Sequence, residues 1–174
     1  MRRAFVNIVS ILFAFAIEKS IFPMIPNLSS APNLLLIFTF SIAFLYGERE
    51  GMLYGLLCGL LMDLFYSGSF GFYMLVFLVI GFLNGLFSRY YYEDFIVLPM
   101  ILCAFNLLFY DFYIFFFRFY IYGSRDLVFF LRKIILPELI MTLIFALILY
   151  MPIFRVNRFL AKEDAKWRRN RRAE

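Results

Sequence analysis

The chain of 174 residues contains no histidine. That removes His-based triads, His-ligated metal sites and the commonest general base together. Cysteine is nearly as scarce. Cys58 and Cys103 both fall inside apolar runs and make neither a disulfide framework nor a metal-ligand spacing, so they read as small buried apolar residues. There is no Walker A motif, no GxGxxG and no HExxH, and no nucleophile beside an orienting partner. We therefore expect no catalysis, no bound metal and no cofactor. Charge is short as well. Only 17% of residues are charged, against 64% hydrophobic and a mean hydropathy of +0.86. A soluble domain needs more polar surface than that, whereas lipid lets the outside of a protein be as apolar as its core. The net charge of +5 does not point to nucleic acid, because the basic residues crowd into a tail rather than interleaving with polar contact residues.

What is abundant is aromatic and aliphatic sequence, including 26 Phe and 12 Tyr, enough for lipid-facing bulk and an interfacial belt. A spanning helix needs roughly 20 mostly apolar residues. Six segments qualify: residues 5–22, ended by Pro23 and Pro26; 34–47, after Pro32-Asn33; 51–66, which is short; 70–88; 95–122, long enough to tilt or break; and 134–154. The fold class is thus an all-α polytopic membrane protein of about six transmembrane helices. Met1-Arg2-Arg3 before an apolar run resembles a signal peptide. Glu18-Lys19 interrupts that run, however, and no small-x-small cleavage site follows, so it reads as a retained span.

Lys and Arg placement sets the orientation. With six spans, Arg2, Arg3, Arg49, Arg89 and the C-terminal basic residues, including Arg168, Arg169, Arg171 and Arg172, fall on one side. Arg118, Arg125, Arg132 and Lys133 fall on the other, where GSRDLVFFLRK has the composition of a short interfacial helix. The majority puts both ends in the cytoplasm. The chain then divides into a six-helix transmembrane domain, residues 1–154, and a basic cytoplasmic tail, residues 155–174, suited to anionic lipid or a cytosolic partner.

Two patterns carry a signal. In the third span Gly51, Gly55 and Gly59 recur every fourth residue and Asp63 continues the series, so all four share one face. Such a face admits another helix almost to backbone contact. The fourth span offers a match in Gly81-x-x-x-Gly85, with Asn84 beside it, so the approaching helix is either this neighbour or one from a partner. The second pattern is ionic. A carboxylate at mid-bilayer costs about 2.5–3.5 kcal/mol, so it must face the bundle, water or a partner. Glu18, Lys19, Asp63, Asp111, Arg118 and Glu138 all fall in the outer half of their spans. They are either mutual ion pairs and snorkelling side chains, or the lining of an outward-facing cavity or docking groove. A proton or ion path through Asp63, Asp111 and Glu138 is weaker, because the inner half lacks polar residues to continue it.

Residues 31–87 resemble the rod shape-determining protein MreD family. The resemblance rests on APNLLLIF and on YGEREGMLYGLLCGLLMDLFYSGSFGFYMLVFLVIGFLNGLF, and matches at Pro32, Asn33, Gly51, Gly55, Gly59, Asp63, Gly71, Gly81 and Gly85. Asn33 stands where the family more often has Asp. The resemblance implies a non-enzymatic multi-pass subunit of the bacterial inner membrane, part of the cell-elongation machinery that builds peptidoglycan. Its implied partner is an MreC-like bitopic protein, with an MreB-like filament and the RodA synthase with its transpeptidase nearby. On this expectation the glycine face and Asp63 seat the partner's helix, and the basic tail faces the filament. The family is also similar in architecture to the substrate-binding subunits of energy-coupling-factor vitamin transporters. That likeness makes a small-molecule binding or transport subunit the alternative.

Overall fold

The structure is a computed structural model that describes residues 2–24, 31–66, 70–88, 97–120 and 127–170, without the side chains of Arg2 and Leu127, those at 118–120 and those at most positions beyond Asn157. Arg89, the loop at 67–69, the segment 121–126, Arg171 and Arg172 lie outside the described residues, and Arg118, Arg168 and Arg169 are described in backbone only.

Every described element is helical. Helix α1 (Arg2–Ala16) continues through a wide π turn at Ile17–Ile21 into a tight turn at Phe22–Met24, so Pro23 lies within its last turn rather than beyond it. Then follow α2 (Leu34–Tyr46), α3 (Glu48–Tyr66) and α4 (Phe72–Phe87). Helix α5 (Val97–Ile114) widens into a π turn at Phe115–Tyr120. The short α6 (Leu127–Phe130) passes through another π turn, Leu131–Ile135, into α7 (Leu136–Asn170). The expected interfacial helix is thus the head of the last helix. Three stretches are long and apolar enough to cross a membrane: Arg3–Met24, Val97–Phe117 and Val128–Asn157. Helices α2 and α4 are apolar but shorter.

The sequence LLLIFTFSIAFLY has no polar face, so α2 gains most where it is covered on all sides. It lies at the centre of the bundle, against α1, α3, α4, α5 and α7, with nearly every residue from Leu34 to Phe44 buried. The outer helices instead keep apolar stripes turned outward. On α5 the stripe is Val97, Ile101, Phe105, Leu108 and Phe112; on α7 it is Ile140, Ile144, Leu147, Ile148 and Met151. Such stripes would drive aggregation in water and are the ordinary surface of a protein in lipid.

A single residue, Gly47, reverses the chain between α2 and α3. Its φ of +90° is open to glycine at little cost, and its N–H closes α2 by donating to the Ala43 carbonyl. The start of α3 lies three residues before the expected one. Glu48 and Glu50 fall in its first turn, where they complement the helix dipole. At this end of the bundle Arg3 ion-pairs with Glu50, and its guanidinium lies 4.2 Å from the centre of the Tyr46 ring. The Tyr46 hydroxyl donates to the Asn157 carbonyl at 2.8 Å, tying α2 to α7. From there α7 runs on to Asn170. At 1.5 Å per residue its 35 residues reach about 52 Å, well beyond a hydrocarbon core of ~30 Å.

Candidate functional site: a polar cavity at the head of the central helix

At the opposite end, the bundle must solve a problem set by its own centre. The first N–H groups of α2 point into protein, where water cannot serve them. Asn33 caps the helix by accepting from Leu36 N–H at 3.0 Å, and the Glu18 carboxylate of α1 accepts from Leu35 N–H at 3.1 Å. The Asn33 N–H in turn donates to Thr142 of α7 at 3.0 Å. Both acceptors sit at the positive end of the α2 dipole. Lys19 balances Glu18, with Nζ 2.7 Å from its carboxylate and 5.0 Å from the centre of the Tyr66 ring.

Around this head opens a cavity of about 320 Å³. Its polar lining comprises Glu18, Lys19, Asn33, Asp111 and Glu138, joined by the tyrosines Tyr66, Tyr73 and Tyr110. Met62, Ile114, Phe130 and Ile134 supply apolar wall. Two of the π turns line it, one through Glu18 and Lys19 and one through Ile134, and the third begins directly after the lining residue Ile114. An extra residue per turn re-aims side chains, a device common at functional sites. Asp111 is 1% exposed, and its Oδ2 has no hydrogen-bond partner among the described residues. Glu138 lines the same cavity, near enough to Asp111 to interact with it through charge. Among the described residues no three His, Cys, Asp or Glu side chains are grouped to hold a metal ion.

The structure therefore brings Glu18, Lys19, Asp111 and Glu138 to one place and leaves Asp63 out of it. Asp63 caps α4. Its carboxylate accepts from the N–H groups of Gly71 at 3.0 Å, Tyr73 at 2.8 Å and Met74 at 3.0 Å, binding the end of α3 to the start of α4. Its neighbours Met62, Tyr66 and Tyr73 line the cavity in its stead.

The glycine face is likewise committed within the chain, which corrects the expectation that it seats a partner. A Cβ on Gly51 would collide with the Gly81 carbonyl, one on Gly55 with the Phe77 carbonyl, and one on Gly59 would lie 2.7 Å from the Met74 nitrogen. Gly81 and Gly85 face Gly51 and Glu48 in the same way. Backbone meets backbone here, so α4 fills the groove and no partner helix can enter it. Asn84 pairs with Asn106 of α5 through two reciprocal amide bonds of 2.8 and 2.9 Å, and also donates to the Ile80 carbonyl. Sequence reasoning passed over Asn106, although a lone amide inside the apolar run ILCAFNLLF is itself a signal. It also passed over the cavity tyrosines, which resemble the other aromatics until the fold gathers them.

A family model described as rod shape-determining protein MreD matches residues 1–160, nearly the whole chain and far more than the segment carrying the motifs. No curated protein and no solved structure matches it.

Proposed function

Because this chain belongs to the MreD family of rod shape-determining proteins, we propose that it is a non-enzymatic scaffold subunit of the bacterial cell-elongation machinery. Membership implies a role in rod-shape determination, and the outward apolar stripes fit a protein that works within a membrane. The finer reading is a six-span protein of the inner membrane with both ends in the cytoplasm. Its cavity faces outward and receives an MreC-like bitopic partner. The α7 extension brings its basic residues toward an MreB-like filament, with the RodA synthase and its transpeptidase in the same assembly. The observation that carries this reading is the family match across residues 1–160.

The cavity is the partner seat because the glycine face is taken. It combines an acidic group without a hydrogen-bond partner among the described residues, Asp111, with accessible volume. Tagged full-length chain, expressed with the MreC-like protein of the same host and purified in detergent, should retain that protein through size exclusion. Bulk in the cavity should release it: Ile134→Trp should cut recovery severalfold while leaving the chain monodisperse. Recovery equal to wild type would remove the cavity as the seat.

The same cavity motivates the second reading, a small-molecule binding subunit like those of energy-coupling-factor transporters. Its volume lies at the small end of ligand pockets. Vitamins and lipid-linked precursors screened by thermal shift address it, since a ligand at 100 times its dissociation constant adds about 2.7 kcal/mol. No shift with any of them counts against it.

A further inference from the structure

The cavity holds more acid than it uses. Glu18 is spent: it accepts from Leu35 N–H and is paired with Lys19. Asp111 and Glu138 form no ion pair among the described residues, where Lys19, the only basic side chain in the lining, is paired with Glu18. Arg132 and Lys133, on the neighbouring π turn, are exposed. Two carboxyl groups in an apolar wall are strongly stabilised by a positive charge placed between them, because little water screens the attraction.

The rest of the lining fits the same guest. Tyr66, Tyr73 and Tyr110 present aromatic surface, which attracts cations through the ring quadrupole. Apolar Met62, Ile114, Phe130 and Ile134 suit an alkyl stem. Depth is ordered too: Tyr66 is 48% exposed at the rim, whereas Asp111 is 1% exposed. A guest with an apolar stem and a terminal cation would lay the stem along the wall and bring the charge to Asp111.

We infer that the cavity is a receptor for a lysine or arginine side chain, presented by the membrane-proximal segment of the partner protein and held by Asp111 and Glu138. This rests on the partner reading above and names the chemistry of its contact. A side chain fits better than a free ligand because the cavity is small and one of its polar corners is already occupied by internal bonds.

The test has two arms. In the first, purified full-length chain in detergent is titrated with n-butylguanidinium, n-butylammonium and the neutral n-butylurea while its unfolding temperature is read. The two cations should raise it with concentration and butylurea should not, and Asp111→Asn with Glu138→Gln should abolish the rise. No rise with either cation, or an equal rise with butylurea, overturns the inference. This comparison stands on the wild-type chain alone, so it decides even where the double variant aggregates.

In the second arm, each Lys and Arg in the partner's outer membrane-proximal segment is replaced by Met. One replacement should weaken co-purification about tenfold or more with the wild-type chain, and add nothing with the double variant. A partner retained equally through every replacement overturns the side-chain assignment. If the cations still bind in the first arm, the guest is instead a lipid ammonium group. A partner that never co-purifies is the failure of the scaffold reading itself.

Discussion

Asp63 and Glu18 meet the same physical need at two helix heads, and the consequences can be measured residue by residue. Three N–H groups at the head of α4, from its cap residue Gly71 and from Tyr73 and Met74, end on Asp63. Removing its carboxylate leaves them without an acceptor where water is scarce, a loss of about 1–2 kcal/mol for a cap. Asp63→Ala should therefore lower the unfolding temperature in detergent by several degrees, with Asp63→Asn in between because one acceptor remains. An unchanged temperature for the alanine variant would mean the cap carries no stability. The amide pair makes a second case. Asn84→Leu or Asn106→Leu alone strands the other amide, at roughly 0.6–2 kcal/mol for a polar contact between membrane helices. The two together should cost less than the sum of the singles, and strict additivity in that cycle would show that the amides do not work as a pair.

Among helices, the tightest fit is between α3 and α4, where substitution forces backbone apart rather than bending a side chain. Gly55→Leu and Gly59→Leu should reduce recovery of folded chain with no partner present. Gly55→Ala should be milder, yet still destabilised by the 1–3 kcal/mol typical of overpacking. Normal folding of both leucine variants would reopen this face to a partner. The spacing of these glycines was legible in the sequence, and so was a helix able to receive them. Which helix arrives was not, since small-residue spacing says only that something comes close.

The boundaries divide in the same way. The six apolar runs mark the helices because burial in lipid is a property of the run itself. The start of α3 was misplaced because Glu48-Arg49-Glu50 reads as a turn by charge, although acids in a first helical turn are favourable. The π turns left no trace. An added residue per turn depends on what the side chains must reach, and that is set by the assembled bundle.

For the molecule as a whole, the chain is a bundle organised around a short buried helix, clasped at one end by Arg3, Glu50, Tyr46 and Asn157 and opened at the other into an acidic cavity. That the ionic residues of the spans lie toward one end could be read from their positions. The structure shows that Glu18, Lys19, Asp111 and Glu138 meet, whereas Asp63, with a similar sequence signature, is absorbed as a cap. A carboxylate in a span announces a need for partners without saying whether the chain supplies them. The distinction between Asp63 and Asp111 is therefore visible only in three dimensions. The clasp has its own consequence. Tyr46→Phe removes the bond to the Asn157 carbonyl, worth about 0.5–1.5 kcal/mol, and should speed limited proteolysis of the α7 extension; an unaltered cleavage rate would show that the extension is held independently of the clasp.

Depletion of the protein in its native host, with cell shape and nutrient dependence scored together, bears most directly on a role in elongation. Rods should swell into spheres on rich medium and recover on re-expression of the wild-type chain. Rods that keep their width and fail only when one nutrient is scarce would instead make the cavity a transport site and overturn the scaffold reading.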